Sequence, residues 1–273
     1  MRAEHRPVVS FDLDGVIMRN AWNEGIEPRI LEHLRKSPAL LGLHPDEADR
    51  RGRLAIREEW GRLATGREWV ALYDWDTIYT SVSRSLGGEP APDVAGLVEF
   101  FCGVEGMVRL LPGAHTGLER LQDDGFSIVA ITNGYYKYQW PVLSALGVDG
   151  FFDRVVTPDT ASYAKPDARI FASVPGLRAH VGDSLVWDML GANRAGVIAV
   201  WLDAELPGDL RALPIEQRTS HDSFPHYVVA VLEKTIWRRY HPEATPEACT
   251  PDAVVVDVDE AAEILSARLA TQV

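Results

Sequence analysis

Apolar residues gather along this chain in short, nearly unbroken runs, each closed by a polar or turn residue: Val8 to Phe11, Phe126 to Ile131, Phe151 to Val156, Ala179 to Val181 and Val197 to Leu202. Continuous rather than alternating apolar runs are the mark of strands covered on both faces, as in a parallel sheet. Between them the apolar spacing turns helical: Ala114 to Asp123 with Leu118 and Leu121 inward, Tyr136 to Leu146, Ala168 to Ser173, and Ser184 to Ala195. Strand alternating with helix predicts an α/β fold built on a doubly wound parallel sheet. Ligands of such sheets bind beyond the carboxyl ends of the strands, which is where Asp12, Thr132 and Asp183 fall.

The alternation breaks between about Arg19 and Arg109, where the periodicity is helical throughout: Ile30, Leu31 and Leu34, then Leu54, Ile56, Trp60 and Leu63, then Leu97, Val98 and Phe101. This predicts a helical insertion over 19–109 in a core made of 1–18 and 110–273, with turn residues from Gly15 to Asn20 at its entry and Gly106 and Pro112-Gly113 at its exit. A second irregular region, about 204–251, carries several prolines, His221, His226 and His241, and an amphipathic piece from Tyr227 to Tyr240. The histidine spacing matches no zinc pattern, so packing is the better use for them. Ala253 to Val256 and Asp259 to Leu269 read as a strand and a closing helix.

Composition narrows the function. With 273 residues, 46% of them hydrophobic, the chain can bury a substantial core. A formal net charge of -13 argues against a nucleic-acid partner, whose phosphates call for Lys and Arg. A small anionic substrate stays open, because a bound cation reverses the sign locally. Two distant cysteines, Cys102 and Cys249, make neither a disulfide framework nor a CxxC pair. The polar start, Met1 to Pro7, lacks a signal peptide's layout, and no apolar stretch is long enough to span a membrane. The expected setting is cytoplasmic. Phe224, Tyr227 and Trp237 are candidates for an exposed apolar face supporting a homo-oligomer.

Four segments carry chemistry, each with a plainer alternative. In Phe11-Asp12-Leu13-Asp14-Gly15 a tight turn after a strand aims two carboxylates into one place: one can attack phosphorus to give an acyl phosphate while the other moves protons. Asp and Gly are also common in solvated turns. Thr132-Asn133-Gly134 offers a hydroxyl and backbone N–H groups to phosphate oxygens, or simply a helix cap. Lys165 before Pro166 suits a phosphoryl charge, although a lone loop lysine is usually solvated. Gly182-Asp183-Ser184 with Asp188 supplies oxygen ligands that fit Mg2+, while Asp188 alone could serve a helix dipole. Gathered at strand ends, these carboxylates would repel one another without a hard cation among them.

In these four motifs, in this order, the sequence resembles the haloacid dehalogenase superfamily, in the branch with a helical cap inserted after the first motif. The likeness spans roughly Val8 to Leu202 plus Ala253 to Leu269. It implies a Rossmann-like core and an α-helical cap that opens and closes over the site. It also implies roles: Asp12 as nucleophile, Asp14 as acid/base, Thr132 and Asn133 as phosphate-binding groups and Lys165 as stabilising cation. Mg2+ would be held by Asp12, Asp183 and the Asp14 carbonyl, with Asp188 in support. Dehalogenating members lack the second Asp, so Asp14 points to a phosphatase acting on a small phosphorylated metabolite. A sugar phosphomutase is the alternative within the superfamily, and a non-catalytic scaffolding module the alternative outside enzymes. Two departures stand out: Lys165 to Asp183 is shorter than the family usually shows, implying a truncated helix, and 204–251 is longer.

Overall fold

The computed structural model describes residues 6–269. Met1 to His5 of the polar start and the last residues, 270–273, lie outside the described residues. Packing divides the chain into two compact units.

The first unit, built from 1–19, 110–133 and 147–273, holds a six-stranded sheet. Its strands are β1 (Val8–Phe11), β2 (Ser127–Ile131), β3 (Arg154–Val156), β4 (Leu177–Gly182), β5 (Ile198–Leu202) and β6 (Ala253–Val255). They lie in the order β3-β2-β1-β4-β5-β6, and every pairing is parallel. β1 is central, with Val9 beside both Ile128 and Ala179. Strands covered on both faces explain the apolar runs: Val9, Phe11, Ile128, Ala130, Val181 and Val200 are all buried. Helices Ala114–Asp123 and Val258–Leu269 pack against each other beside this sheet. β3 is shorter than the run Phe151 to Val156 suggests. The amides of Phe151 and Phe152 are spent on a tight turn, donating to the carbonyls of Val148 and Asp149, before the chain reaches the sheet.

The 204–251 region is more ordered than its prolines imply. It forms helices Gly208–Arg211, Ile215–Arg218, Phe224–Lys234 and Pro246–Cys249, with a 3-10 turn at Ile236–Arg239. Phe224, Val228 and Leu232, four residues apart, bury one face of the long helix in the core that also holds Trp201. Phe224 is 1% exposed, so the expectation that it belongs to an outward apolar face is corrected. Tyr227 and Trp237 are also engaged within the chain, against Trp201 and Trp187. Buried Arg218 clasps Glu260 and donates to the carbonyls of Arg211 and Val254, tying the region to the closing helix.

The second unit comprises 20–109 together with 134–146. It is helical: Glu27–Leu34, Pro45–Thr65, Trp75–Ser85, Val94–Cys102 and Tyr136–Ala145. Ile30, Leu31, Leu34, Ile78, Val82 and Val142 are buried, as the helical spacing predicts. Tyr138 donates to Asp76, which also receives the Lys137 ammonium at 2.6 Å, so the helix after Asn133 is pinned to this unit. Among the described residues no helix is long and apolar enough to cross a membrane.

Candidate active site

The chemistry-bearing residues of the sheet unit come from the ends of β1, β2 and β4 and from the loop holding Lys165. The Asp12 amide donates to the Val181 carbonyl (2.8 Å), which locks the turn after β1 to the end of β4. Gly15 then takes φ +84°, a conformation costly for any residue with a side chain. A Cβ there would lie 2.2 Å from Asp183 Oδ2, so glycine at 15 is what lets the β1 and β4 turns close on each other. Asp14 is half-buried in this turn and its charge bears on Asp183.

After β4 the chain makes a wide π-helical turn, Leu185–Met189, before the α-helix Leu190–Ala195 begins. Single π turns of this kind are frequent at functional sites. Here the turn carries Asp188 back under the strand end: a Cβ on Gly182 would meet its carboxyl carbon at 2.2 Å. Asp188 is fully buried and richly partnered. Its Oδ1 accepts from the Lys165 ammonium at 2.6 Å and lies 2.9 Å from His180 Nε2, and its Oδ2 accepts from the Ser184 amide at 3.0 Å.

Lys165 is 2% exposed, not solvated. Its Nζ stands 2.9 Å from Asp12 Oδ1 and 2.6 Å from Asp188 Oδ1. The short helix that follows, Ala168–Ala172, is the truncation the sequence implied, yet the lysine reaches Asp12. Asn133 holds its backbone: the side-chain amide donates to the Lys165 carbonyl (3.2 Å) and its oxygen accepts from the Lys165 N–H (2.8 Å). The Asn133 side chain is therefore committed to aiming Lys165. Thr132, 2% exposed, ends β2, where its amide donates to Val156. The helix beyond starts only at Tyr136 with Tyr135 as its cap, so Thr132 does not serve as a helix cap.

The charges of this cluster act on one another. Burial would depress the Lys165 ammonium's pKa, but Asp12 and Asp188 outweigh it and keep the group charged. Burial alone would push Asp188 up; the Lys165 ammonium and the His180 hydrogen bond hold it down at about 2. Asp12 is raised by burial, opposed by Lys165 and aided by Asp188. Asp183 is driven well above the ordinary carboxylate value by desolvation of its carboxyl and by the charges of Asp12 and Asp188. Asp12, Asp183 and Asp188 each present an oxygen within 4.8 Å of the others. With all three ionised, one ammonium against three carboxylates leaves two negative charges, and an all-oxygen donor set of that charge fits a hard divalent cation.

Two residues of the site escaped the sequence reading. His180 is fully buried in the middle of β4, where its Nδ1 lies 2.8 Å from the hydroxyl of Ser10, itself buried in β1. Asp188 can only accept, so His180 carries its proton on Nε2, and with burial keeping the ring neutral Ser10 donates to Nδ1. A serine, a histidine and an aspartate in line resemble a hydrolytic triad, but with all three buried the serine is no nucleophile here. The signal was available: a polar residue inside each of two otherwise apolar strands demands a buried partner.

Residues 7–196 match the haloacid dehalogenase-like hydrolase family, and the chain belongs to it. Among curated relatives, a glyceraldehyde 3-phosphate phosphatase of Methanothermobacter thermautotrophicus is 30% identical over 142 residues, 49% of this chain and 63% of that protein. A phosphoserine phosphatase of Thermus thermophilus is 30% identical over 175 residues, 60% of this chain and 70% of that one. The chain spans between 48% and 63% of the length of the glyceraldehyde 3-phosphate phosphatases it matches. Of solved structures, a HAD phosphatase from Thermococcus onnurineus superposes with a TM-score of 0.57 at 25% identity, over 73% of this chain and 87% of that one. A 2-haloacid dehalogenase from Pseudomonas syringae superposes at 0.58 and 20% identity over 96% and 99%, a likeness of fold alone. Fold is therefore shared by carbon–halogen and phosphate hydrolases, and residues must separate them.

Proposed function

We propose that this chain is a Mg2+-dependent phosphomonoesterase acting on a small phosphorylated metabolite through an aspartyl-phosphate on Asp12. The observation that carries this reading is the Lys165 ammonium, buried and 2.9 Å from Asp12 Oδ1, beside a carboxylate cluster two negative charges in excess. An ammonium so placed favours the ionised form of Asp12 against the pull of burial and neutralises charge as a phosphoryl group arrives. Asp12, Asp183 and Asp188 would hold Mg2+, which when bound supplies charge neutralisation for the transferring phosphoryl group.

In this mechanism an oxygen of Asp12 attacks phosphorus and the ester P–O bond breaks. Asp14, which enters protonated, gives its proton to the departing alkoxide. Asp14, now a carboxylate, takes a proton from water as that water attacks the acyl phosphate, releasing inorganic phosphate and regenerating Asp12. Thr132 serves the phosphate from the end of β2, and Asn133 aims Lys165. The presence of Asp14 supports this reading over carbon–halogen cleavage, and relatives named for glyceraldehyde 3-phosphate, phosphoserine and phosphoglycolate support small phosphate esters as substrates. Two unpaired thiols suit a reducing cytoplasm.

The test is incubation of the purified protein with phosphorylated sugars, nucleotides and small acids, with Mg2+ and again with chelator. Magnesium-dependent release of inorganic phosphate from a few of these is expected; no release from any contradicts the assignment.

A further inference from the structure

The 204–251 region has no part in the reaction above, yet its contacts converge on the turn that carries Asp183 and Asp188. Asp183 is held from one side: the indole N–H of Trp201, in β5, donates to the Asp183 carbonyl at 2.9 Å. Trp201 is in turn fixed by the region, since Tyr227 stacks on it at 5.6 Å between ring centres, Phe224 meets it at 6.4 Å, and the Tyr227 hydroxyl is anchored on Asp203. The other side of the turn is held through Trp187, the neighbour of Asp188. Its ring lies 5.3 Å from Trp237 and edge-on to buried His241 at 4.9 Å. A third tie reaches the helix that continues from the turn, where the Asn193 amide donates to the carbonyls of Ala248 and Thr250, both at 2.9 Å.

We propose that the 204–251 region is a clamp that preorganises the Asp183–Asp188 turn for a divalent cation, with Trp201 and Trp237 as positioning residues. The proposal rests on the metal-dependent reading given above. The physical need is plain. The carboxylates of Asp183 and Asp188 repel each other and Asp12 when ionised, which works against a closed turn, and any opening would be charged against binding. A turn held closed by ring packing and a hydrogen bond from outside the ligand set spares that reorganisation, and the saving appears as metal affinity. Phe224, Tyr227 and Trp237 are thereby given a use inside one chain.

The experiment is calorimetric titration of the full-length protein with Mg2+, alongside the Mg2+ dependence of phosphate release. Trp201→Phe keeps a ring against Tyr227 and Phe224 but removes the N–H, and it should raise the Mg2+ Kd about fivefold, the factor equivalent to one net hydrogen bond of about 1 kcal/mol. Trp237→Leu should shift Kd in the same direction, and carries the test should Trp201→Phe fail to fold by circular dichroism. In both, KM for the ester stays unchanged and kcat recovers at saturating Mg2+. Leu213→Ala, which trims apolar packing elsewhere in the region, should lower the melting temperature and leave Kd alone. Folded tryptophan variants that bind Mg2+ as the wild type does overturn the clamp, as does a Leu213→Ala that weakens binding equally. A wild type that binds no Mg2+ overturns the metal-dependent reading itself, and the clamp with it.

Discussion

Lys165 gives up nearly all its hydration to stand between Asp12 and Asp188, so whatever aims Asp188 at it should be felt at Asp12. His180 does that aiming from inside β4, with Ser10 behind it. Replacing it by leucine removes the donor from Asp188 Oδ1 and should lower kcat or Mg2+ affinity about 10–100-fold, the usual effect of losing an outer-shell partner. His180→Gln, which can still present an N–H to that oxygen, should retain most of the activity in steady-state assays. Equal losses in the two variants would show that His180 only fills space. Gly15 is constrained twice, by its φ of +84° and by Asp183 Oδ2. Gly15→Ala should therefore cost about 1 kcal/mol or more in urea unfolding and also weaken Mg2+ binding. A folded alanine variant with wild-type affinity would mean that the β1 and β4 turns need not approach so closely.

Among the elements, strands with an unbroken apolar run and helices with a clear period were legible in advance. β1, β2 and β5 and the helix Ala114–Asp123 lie where apolar runs and helical spacing put them. The motifs at Asp12, Thr132 and Asp183 were legible for the same reason, because each directly follows the last residue of a strand. What the pattern concealed was tertiary. Turn hydrogen bonds at Phe151 and Phe152 shorten β3, and Asn133 spends its side chain on Lys165, a partner 32 residues away. Prolines disguised 204–251 as irregular, although Phe224, Val228 and Leu232 bury one helical face against the sheet. Phe224→Ala should accordingly cost about 3–5 kcal/mol in chemical denaturation, the range for emptying an aromatic site in a core. A loss below about 1 kcal/mol would return Phe224 to the surface.

At the level of the whole molecule, stability and cation are linked through the carboxylates. Asp183 and Asp12 bind their protons more tightly folded than unfolded, so they favour folding at low pH and lose that contribution as pH rises above the ordinary carboxylate value of about 4. Asp188 has the opposite sign: its pKa is depressed to about 2, so its contribution is present above about 4 and fades below it. The metal-free protein should thus melt highest in mild acid and lower at neutrality, where the net charge of -13 adds self-repulsion. Mg2+ should raise the neutral melting temperature and flatten the decline, which thermal scans with and without chelator would show. A metal-free melting temperature that climbs steadily from mild acid to neutrality would mean that the carboxylates do not crowd one another as described.

The proposed reaction turns on attack of an Asp12 carboxylate oxygen on phosphorus. The most direct measurement is mass spectrometry of acid-quenched protein after brief exposure, with Mg2+, to a substrate found by phosphate release. The expected result is a transient phosphoryl adduct on the peptide carrying Asp12, with Asp12→Asn folded but showing neither adduct nor turnover. Phosphate release by wild type with no adduct at any quench time, together with turnover by Asp12→Asn, would contradict it.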